Sequence, residues 1–199
     1  MIHLLSPLAY RVLPWKNGGG TTTEIAVDPE GANWDVFNWR VAIADIRASG
    51  PFSRFPGIDR SIVLLENPKD ARRSEISLDI DGNKVRMVPR EFIDFSGDAE
   101  THCELNGPPA LDFNVMSRRD AIKHRRGWKS VSANELFRLG GTDQRFVYVV
   151  SGEAELINAV SARTVAAGET LVASGDETLV LRGGENGAQL VWVVFSAAG

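Results

Sequence analysis

A chain of 199 residues, 43% hydrophobic and 24% charged, is long enough to bury one large β domain or two small ones and has none of the bias of a disordered or fibrous protein. Its net charge of −4 and pI near 5.4 argue against nucleic acid as a partner, because such a surface repels phosphate. A single cysteine, Cys103, excludes an internal disulfide and fits a reducing cytoplasm. The N-terminus lacks a basic signal-peptide region and no apolar run is long enough to span a bilayer, so a cytoplasmic protein without a membrane partner is expected.

Residues 10–13 read as a short strand feeding Pro14-Trp15-Lys16-Asn17-Gly18-Gly19-Gly20, and residues 22–27 as the next strand. Consecutive glycines permit positive φ and close approach of another segment, and their N–H groups, reinforced by Lys16, suit an anion. Lysine precedes the glycines and Thr23-Glu24-Ile25 leads into a strand, so this is not the phosphate loop whose Gly-Lys-Ser/Thr opens a helix. A sharp β-corner and a ligand-binding loop are both open readings of it. In Trp39–Ile46 the side chains alternate, placing Arg40, Ala42 and Ala44 on one face. Small neighbours leave space for a guanidinium that seeks a carboxylate or phosphate; a solvated edge face is the plainer alternative.

Residues 50–60 hold two prolines, two glycines and two phenylalanines, a stiff loop that brings Phe52 and Phe55 towards Arg60 and the strand 61–65. Short strands over 74–80, 84–88, 91–95, 101–105 and 111–116, separated by turn signals such as Asp81-Gly82 and Gly107-Pro108-Pro109, indicate an all-β sandwich or barrel. Between 117 and 141 the pattern changes. The basic run 118–129 reads as a solvated connector and 132–137 as a short helix, after which strands resume at Arg145.

The two halves can be superposed in sequence. Arg60-Ser61-Ile62-Val63-Leu64 answers to Arg145-Phe146-Val147-Tyr148-Val149, and Phe95-Ser96-Gly97-Asp98 to Ala173-Ser174-Gly175-Asp176. Asp112-Phe113-Asn114-Val115 is set against Val191-Trp192-Val193-Val194. Gly-Glu turns at 152–153 and 168–169 add a cupin-like rhythm. The expected fold is therefore all-β, with two tandem jelly-roll, cupin-like barrels forming a bicupin. Residues 1–120 would form the N-terminal half, and 121–199 a connector plus the C-terminal half. Burying a carboxylate and an amide costs on the order of several kcal/mol unless they are paired. Asp112 and Asn114 thus imply a polar pocket in the first barrel, against an apolar core in the second; a strand facing solvent in the first half alone is the alternative.

The three histidines, His3, His102 and His124, form no His-x-His pair. His102 and Cys103 are adjacent and so fall on opposite faces of a strand, which disfavours a shared metal ion and a Cys–His nucleophile pair alike. Neither metal nor other cofactor is expected. Any acid–base chemistry would rest on Lys16, Glu24, Asp112 and the arginines.

Taken together, Pro14 to Gly20 with Thr23-Glu24-Ile25, Trp39-Arg40 with Ile43-Ala44, Gly50-Pro51-Phe52-Ser53 with Phe55-Pro56-Gly57 and Asp59-Arg60, Phe95 with Gly97-Asp98, and Asp112 to Met116 with Arg118 resemble the HutD/Ves family of bacterial proteins. The resemblance covers essentially the whole chain and is weakest after about residue 120. It implies a metal-less bicupin. It also implies a regulator or limiter of histidine utilisation with a small acid such as formylglutamate or formate as ligand, or, on the Ves side, a role in cold and stress responses. No assigned reaction comes with it.

The expected ligand-binding residues are Trp15, Lys16, Asn17, Gly20, Thr23, Glu24, Arg40, Phe52, Phe55, Arg60, Asp112 and Asn114. Arg40 and Arg60 would clamp a small anionic carboxylate, Lys16 and the glycines would add positive potential, Asp112 and Asn114 would read an amide or formyl group, and Phe52 and Phe55 would form an apolar lid. A metal-independent hydrolase or isomerase, with Glu24 or Asp112 as general base, and an interaction protein docking through the basic run are the alternatives. The chain is expected as a monomer or homodimer.

Overall fold

The computed structural model describes residues 1–15, 18–34, 36–65, 75–157 and 162–199. Period-two alternation broken by glycine, proline and Asx turns produces strands throughout. They are β1 (Ile2–Leu5), β2 (Arg11–Pro14), β3 (Gly20–Asp28), β4 (Trp39–Ile46), β5 (Gly50–Pro51) and β6 (Ile58–Leu65). There follow β7 (Glu75–Ile80), β8 (Asn83–Met87), β9 (Phe92–Ser96), β10 (Thr101–Asn106), β11 (Ala110–Arg118) and β12 (Ile122–Val131). The last are β13 (Leu136–Leu139), β14 (Gln144–Leu156), β15 (Arg163–Ala166), β16 (Thr170–Ala173) and β17 (Leu179–Ala197). Among the described residues the one helical element is a single 3₁₀ turn, Pro7–Ala9.

The chain divides into two jelly-roll units. One comprises Tyr10–Lys123 with Ala197–Gly199, the other Met1–Ala9 with His124–Ser196. In the first, a six-stranded sheet in the order β2-β3-β4-β11-β6-β9 faces a four-stranded sheet, β5-β10-β7-β8. Ala44, Ile46, Ile62 and Leu64 from the former pack on Ile76, Leu78 and Cys103 from the latter. The second unit is a seven-stranded sheet curled around Val147, Val149, Leu171, Leu181 and Leu190, with bulges in β14 between Val149 and Ala154 where the strand bends. This is the doubled, all-β cupin architecture expected from the sequence.

The units do not break at one point in the chain. Residues 1–9, placed with the N-terminal half by the sequence reading, belong with the C-terminal unit, because β1 pairs antiparallel with β16, Ile2 opposite Ala173. Two further expectations are corrected. The basic run continues into strand β12, where Ile122, His124, Arg126 and Trp128 are half-buried while Lys123 and Arg125 between them are exposed. Residues 132–137 are not a helix: Asn134 has φ 63° and Gly183 N–H donates to Glu135 O, so this segment turns and enters β13.

The internal repeat is a repeat of register. Arg60 pairs with Phe95 and Met116 across its two neighbours; Arg145 pairs with Ala173 and Val194. Counting back from these anchors, Asp112 corresponds to Leu190 and Asn114 to Trp192, one residue from the alignment read off the sequence. A slip of one exchanges the two faces of a strand. The contrast drawn from it survives, because Leu190 and Trp192 lie in or against the apolar core of the second unit.

A polar pocket in the first jelly roll

The inward face of the six-stranded sheet can be followed strand by strand. Thr22, Ala44, Asp112 and Leu64 form one cross-strand row, and Glu24, Ala42, Asn114, Ile62 and Ile93 the next. A third row runs from Arg40 through Met116 to Arg60 and Phe95. Two strand spacings separate the two arginines, roughly 9.5 Å between their Cα atoms. The alanines of β4 supply the space: together with the loops above them they leave a cavity of about 810 Å³ whose wall includes Arg40, Arg60, Asp112 and Asn114.

Arg40 and Arg60 are held differently. Arg40 Nε lies 3.1 Å from Glu24 Oε2, and Glu24 Oε1 also receives Arg11 Nη2 at 2.8 Å. Arg40 Nη2 donates to Ala32 O at 3.1 Å, and its guanidinium lies 3.8 Å from the centre of the Trp34 ring. Burial lowers the pKa of Arg40, opposed by the carboxylate of Glu24. Glu24 thereby neutralises Arg40, whose Nη1 has neither an ion-pair nor a hydrogen-bond partner among the described residues. Arg60 sits among three phenylalanine rings, 4.8 Å from Phe95, 5.4 Å from Phe52 and 5.5 Å from Phe55. Its Nη1 reaches Ser53 O at 3.5 Å and its Nε has no partner among the described residues. Burial brings its pKa down to about 10, with Asp112 pulling the other way, so it stays a cation at neutral pH. Cation–π contact steadies such a group without consuming its N–H donors.

Asp112 is fully buried, and neither of its carboxyl oxygens has a hydrogen-bond partner among the described residues. Burial pushes its pKa up to about 7, against the pull of Arg60. Asn114, one position along the same face, likewise has an unpartnered Oδ1. Buried polar atoms left without partners are rare in folded proteins and mark places where a ligand or water completes the structure. Over the mouth, Trp34 and Phe55 touch at 5.7 Å between ring centres, so each pocket arginine contacts one ring of an aromatic pair.

Of the residues expected at a site, Trp15, Arg40, Phe52, Phe55, Arg60, Asp112 and Asn114 line this cavity. Glu24 is buried behind it as the partner of Arg40. Thr23 faces away from the row that carries Thr22 and Glu24. Gly20 does not line it; a Cβ there would stand 2.1 Å from Asp45 O, so the glycine serves close strand packing. The described part of the glycine run is a hairpin loop, with Trp15 N–H donating to Gly20 O and Gly18 N–H to Trp15 O. Lys16 and Asn17 lie outside the described residues. Thr22, Trp34, Phe37, Met116 and Arg118 also line the cavity and were not anticipated. Thr22 Oγ1 accepts from Trp15 Nε1 at 2.8 Å, and Arg118 Nη2 donates to Phe37 O at 2.9 Å. Thr22 was legible in principle, since it shares a face with Glu24; Trp34 was not, because it belongs to an irregular loop. None of the histidines lines the cavity, and among the described residues no cluster of three or more His, Cys, Asp or Glu is placed to hold a metal ion.

Comparison with known proteins gives the family and the fold. The HutD family matches residues 8–191. An uncharacterized 21.2 kDa protein in the hutC 3′ region of Pseudomonas putida is 39% identical over 128 residues, which is 64% of each chain. Protein Ves of Citrobacter koseri is 35% identical over 144 residues, 71% of this chain and 69% of that one. The solved structure of HutD from Pseudomonas fluorescens SBW25, obtained in a formate condition, superposes with a TM-score of 0.80 at 27% identity over the whole of both chains.

Proposed function

The chain belongs to the HutD family, and from that premise we propose that it is a metal-independent binding protein for a small acidic metabolite of histidine degradation, of the formylglutamate or formate kind, which it senses or limits in a regulatory role. One observation carries the reading: a buried, aromatic-caged guanidinium, Arg60, shares a cavity of about 810 Å³ with the unpartnered oxygen of Asn114. Arg60 supplies the counter-charge and N–H donors that a carboxylate needs, and Asn114 Oδ1 accepts from an amide N–H. Phe52 and Phe55 cover the apolar part of the ligand. Arg40, already neutralised by Glu24, contributes one donor rather than half of a clamp. A cavity with a few convergent polar groups and, among the described residues, no nucleophile–base pair binds more readily than it reacts.

Isothermal titration with formate, formylglutamate, urocanate and glutamate tests this. At least one of them binds, and Arg60→Ala loses that binding; flat traces for all four, or unchanged binding by the variant, refute it. A second reading, a metal-independent hydrolase or isomerase of the same acids, draws on Asp112, whose pKa of about 7 suits a general acid or base. It requires turnover of a formyl amide that disappears in Asp112→Asn.

A further inference from the structure

We propose that Asp112 takes part in ligand binding as the neutral acid, giving a hydrogen bond to an oxygen of the bound anion, so that each anion bound brings one proton into the pocket. The inference rests on the anion-binding reading above and adds to it the protonation state of the site and the kind of atom that Asp112 recognises.

The surroundings of Asp112 explain why. On the two strands beside it stand Ala44 and Leu64, which offer no polar group. The facing sheet contributes Ile76 and Leu78 from β7 and Met87 from β8, all apolar. From β10 comes Cys103, whose thiol, pushed up to about 12 mainly by burial, is uncharged at neutral pH. Beyond β4, Glu24 of β3 is engaged by Arg40 and Arg11, and Arg118 at the end of the strand of Asp112 bonds Phe37 O. Among the described residues Arg60 of β6 is thus the one cation acting on the carboxyl, and none of them donates a hydrogen bond to it. A carboxylate without donors in apolar surroundings is poorly held, whereas a carboxylic acid there needs only one acceptor.

A ligand carboxylate entering beside Arg60 makes the second negative group on a single guanidinium. Two anions sharing one buried site cannot both stay ionised cheaply, and the one lacking donors takes the proton. The ligand anion is served by the Arg60 N–H groups, so the proton goes to Asp112. The new O–H then points at a ligand oxygen, with no bond made or broken beyond the transfer of one proton from solvent. The free site titrates near neutrality, so proton uptake is small at pH 6 and approaches one per anion at pH 8. Affinity for an acid that is already fully ionised then falls about tenfold for each pH unit above 7.

The experiment is calorimetric titration of the full chain with formate between pH 6 and 9, in buffers of different ionisation enthalpy. The slope of apparent heat against buffer enthalpy counts the protons taken up. The expected result is close to one proton at pH 8, a tenfold loss of affinity from pH 8 to pH 9, and zero uptake with pH-independent affinity in Asp112→Asn. Formate bound at pH 8 without proton uptake overturns the inference and leaves anion binding standing, as does uptake that persists in Asp112→Asn. Where formate does not bind, the proton count is made with whichever of formylglutamate, urocanate and glutamate does; no binding by any of the four at any pH overturns both. The wild-type proton count decides the matter even where the variant binds too weakly to titrate.

Discussion

Replacing Glu24 by alanine isolates the charge that the fold has buried around Arg40. Arg40 is fully buried and Glu24 is 6% exposed, so the variant leaves a guanidinium in the interior without its carboxylate. Breaking a buried ion pair from one side costs about 3–5 kcal/mol. Two features place the loss near the lower bound. Arg40 keeps its bonds to the carbonyls of Ala32 and Asn33 and its stack on Trp34. The second limb, Arg11 to Glu24, is half exposed at the arginine and is worth ~0–1 kcal/mol. A loss of about 3 kcal/mol in a chain of this size lowers the midpoint of thermal unfolding by about 6–12 °C. The assay is circular dichroism melting alongside urea unfolding, with Glu24→Ala/Arg40→Met as the companion. The double variant has no buried charge to leave unpaired and should recover at least half of the loss. A single-variant loss below about 1 kcal/mol, or a double variant no more stable than the single, would show that Glu24 does not hold the charge of Arg40.

Three further outcomes are expected. Asp112 has a native pKa of about 7 against roughly 3.9 in an unfolded chain, so the native state binds more protons between those values. Its contribution to stability is present below pH 4 and is lost as pH rises to 7, on the order of 4 kcal/mol in all; urea unfolding in steps from pH 4.5 to 8 should therefore show Asp112→Asn gaining on the wild type across that window, and a constant difference refutes it. Gly20→Ala forces a methyl to 2.1 Å from Asp45 O and should cost about 2 kcal/mol or more, whereas Gly18→Ala, with φ +71° and nothing within 4 Å of the new Cβ, should cost about 1 kcal/mol; equal melting shifts would contradict the packing role of Gly20. Cys103, 1% exposed and with its thiol raised to about 12, should resist a disulfide reagent in native buffer and react fully in denaturant; rapid native labelling would count against its burial.

The pocket was legible where side chains alternate and a polar residue interrupts an apolar face. Arg40 between alanines, and Asp112 and Asn114 in a buried strand, are of that kind, and Trp39–Ile46 was bounded to the residue. The Asp81-Gly82 turn was equally plain, and both residues have positive φ. The repeat was seen but set one residue off, because Val191 to Phe195 is apolar on both faces and carries no alternation to fix its register. Arg60 and Arg145 at matching ladder positions were the anchors that correct it. The strand at 122–131 was masked by its charge, since a lysine or arginine stem can cover a sheet as a leucine does. Trp34 belongs to an irregular loop, where no periodicity announces that a ring will fold back over Arg40.

The exchange of chain ends between the two units constrains the order in which a nascent chain can finish. Ile2–Leu5 are made well before their hydrogen-bonding partners in Thr170–Ala173. Ala198 in turn returns to donate to Ala121 O in the unit completed earlier. During synthesis the jelly roll that carries the polar pocket can close on itself while β1 waits unpaired, an exposed edge that invites association with a neighbouring chain. Cutting the chain at residue 121 would therefore give a second half lacking a strand and a first half carrying a sticky one, so separation into independent halves calls for moving residues 1–9 to the other piece.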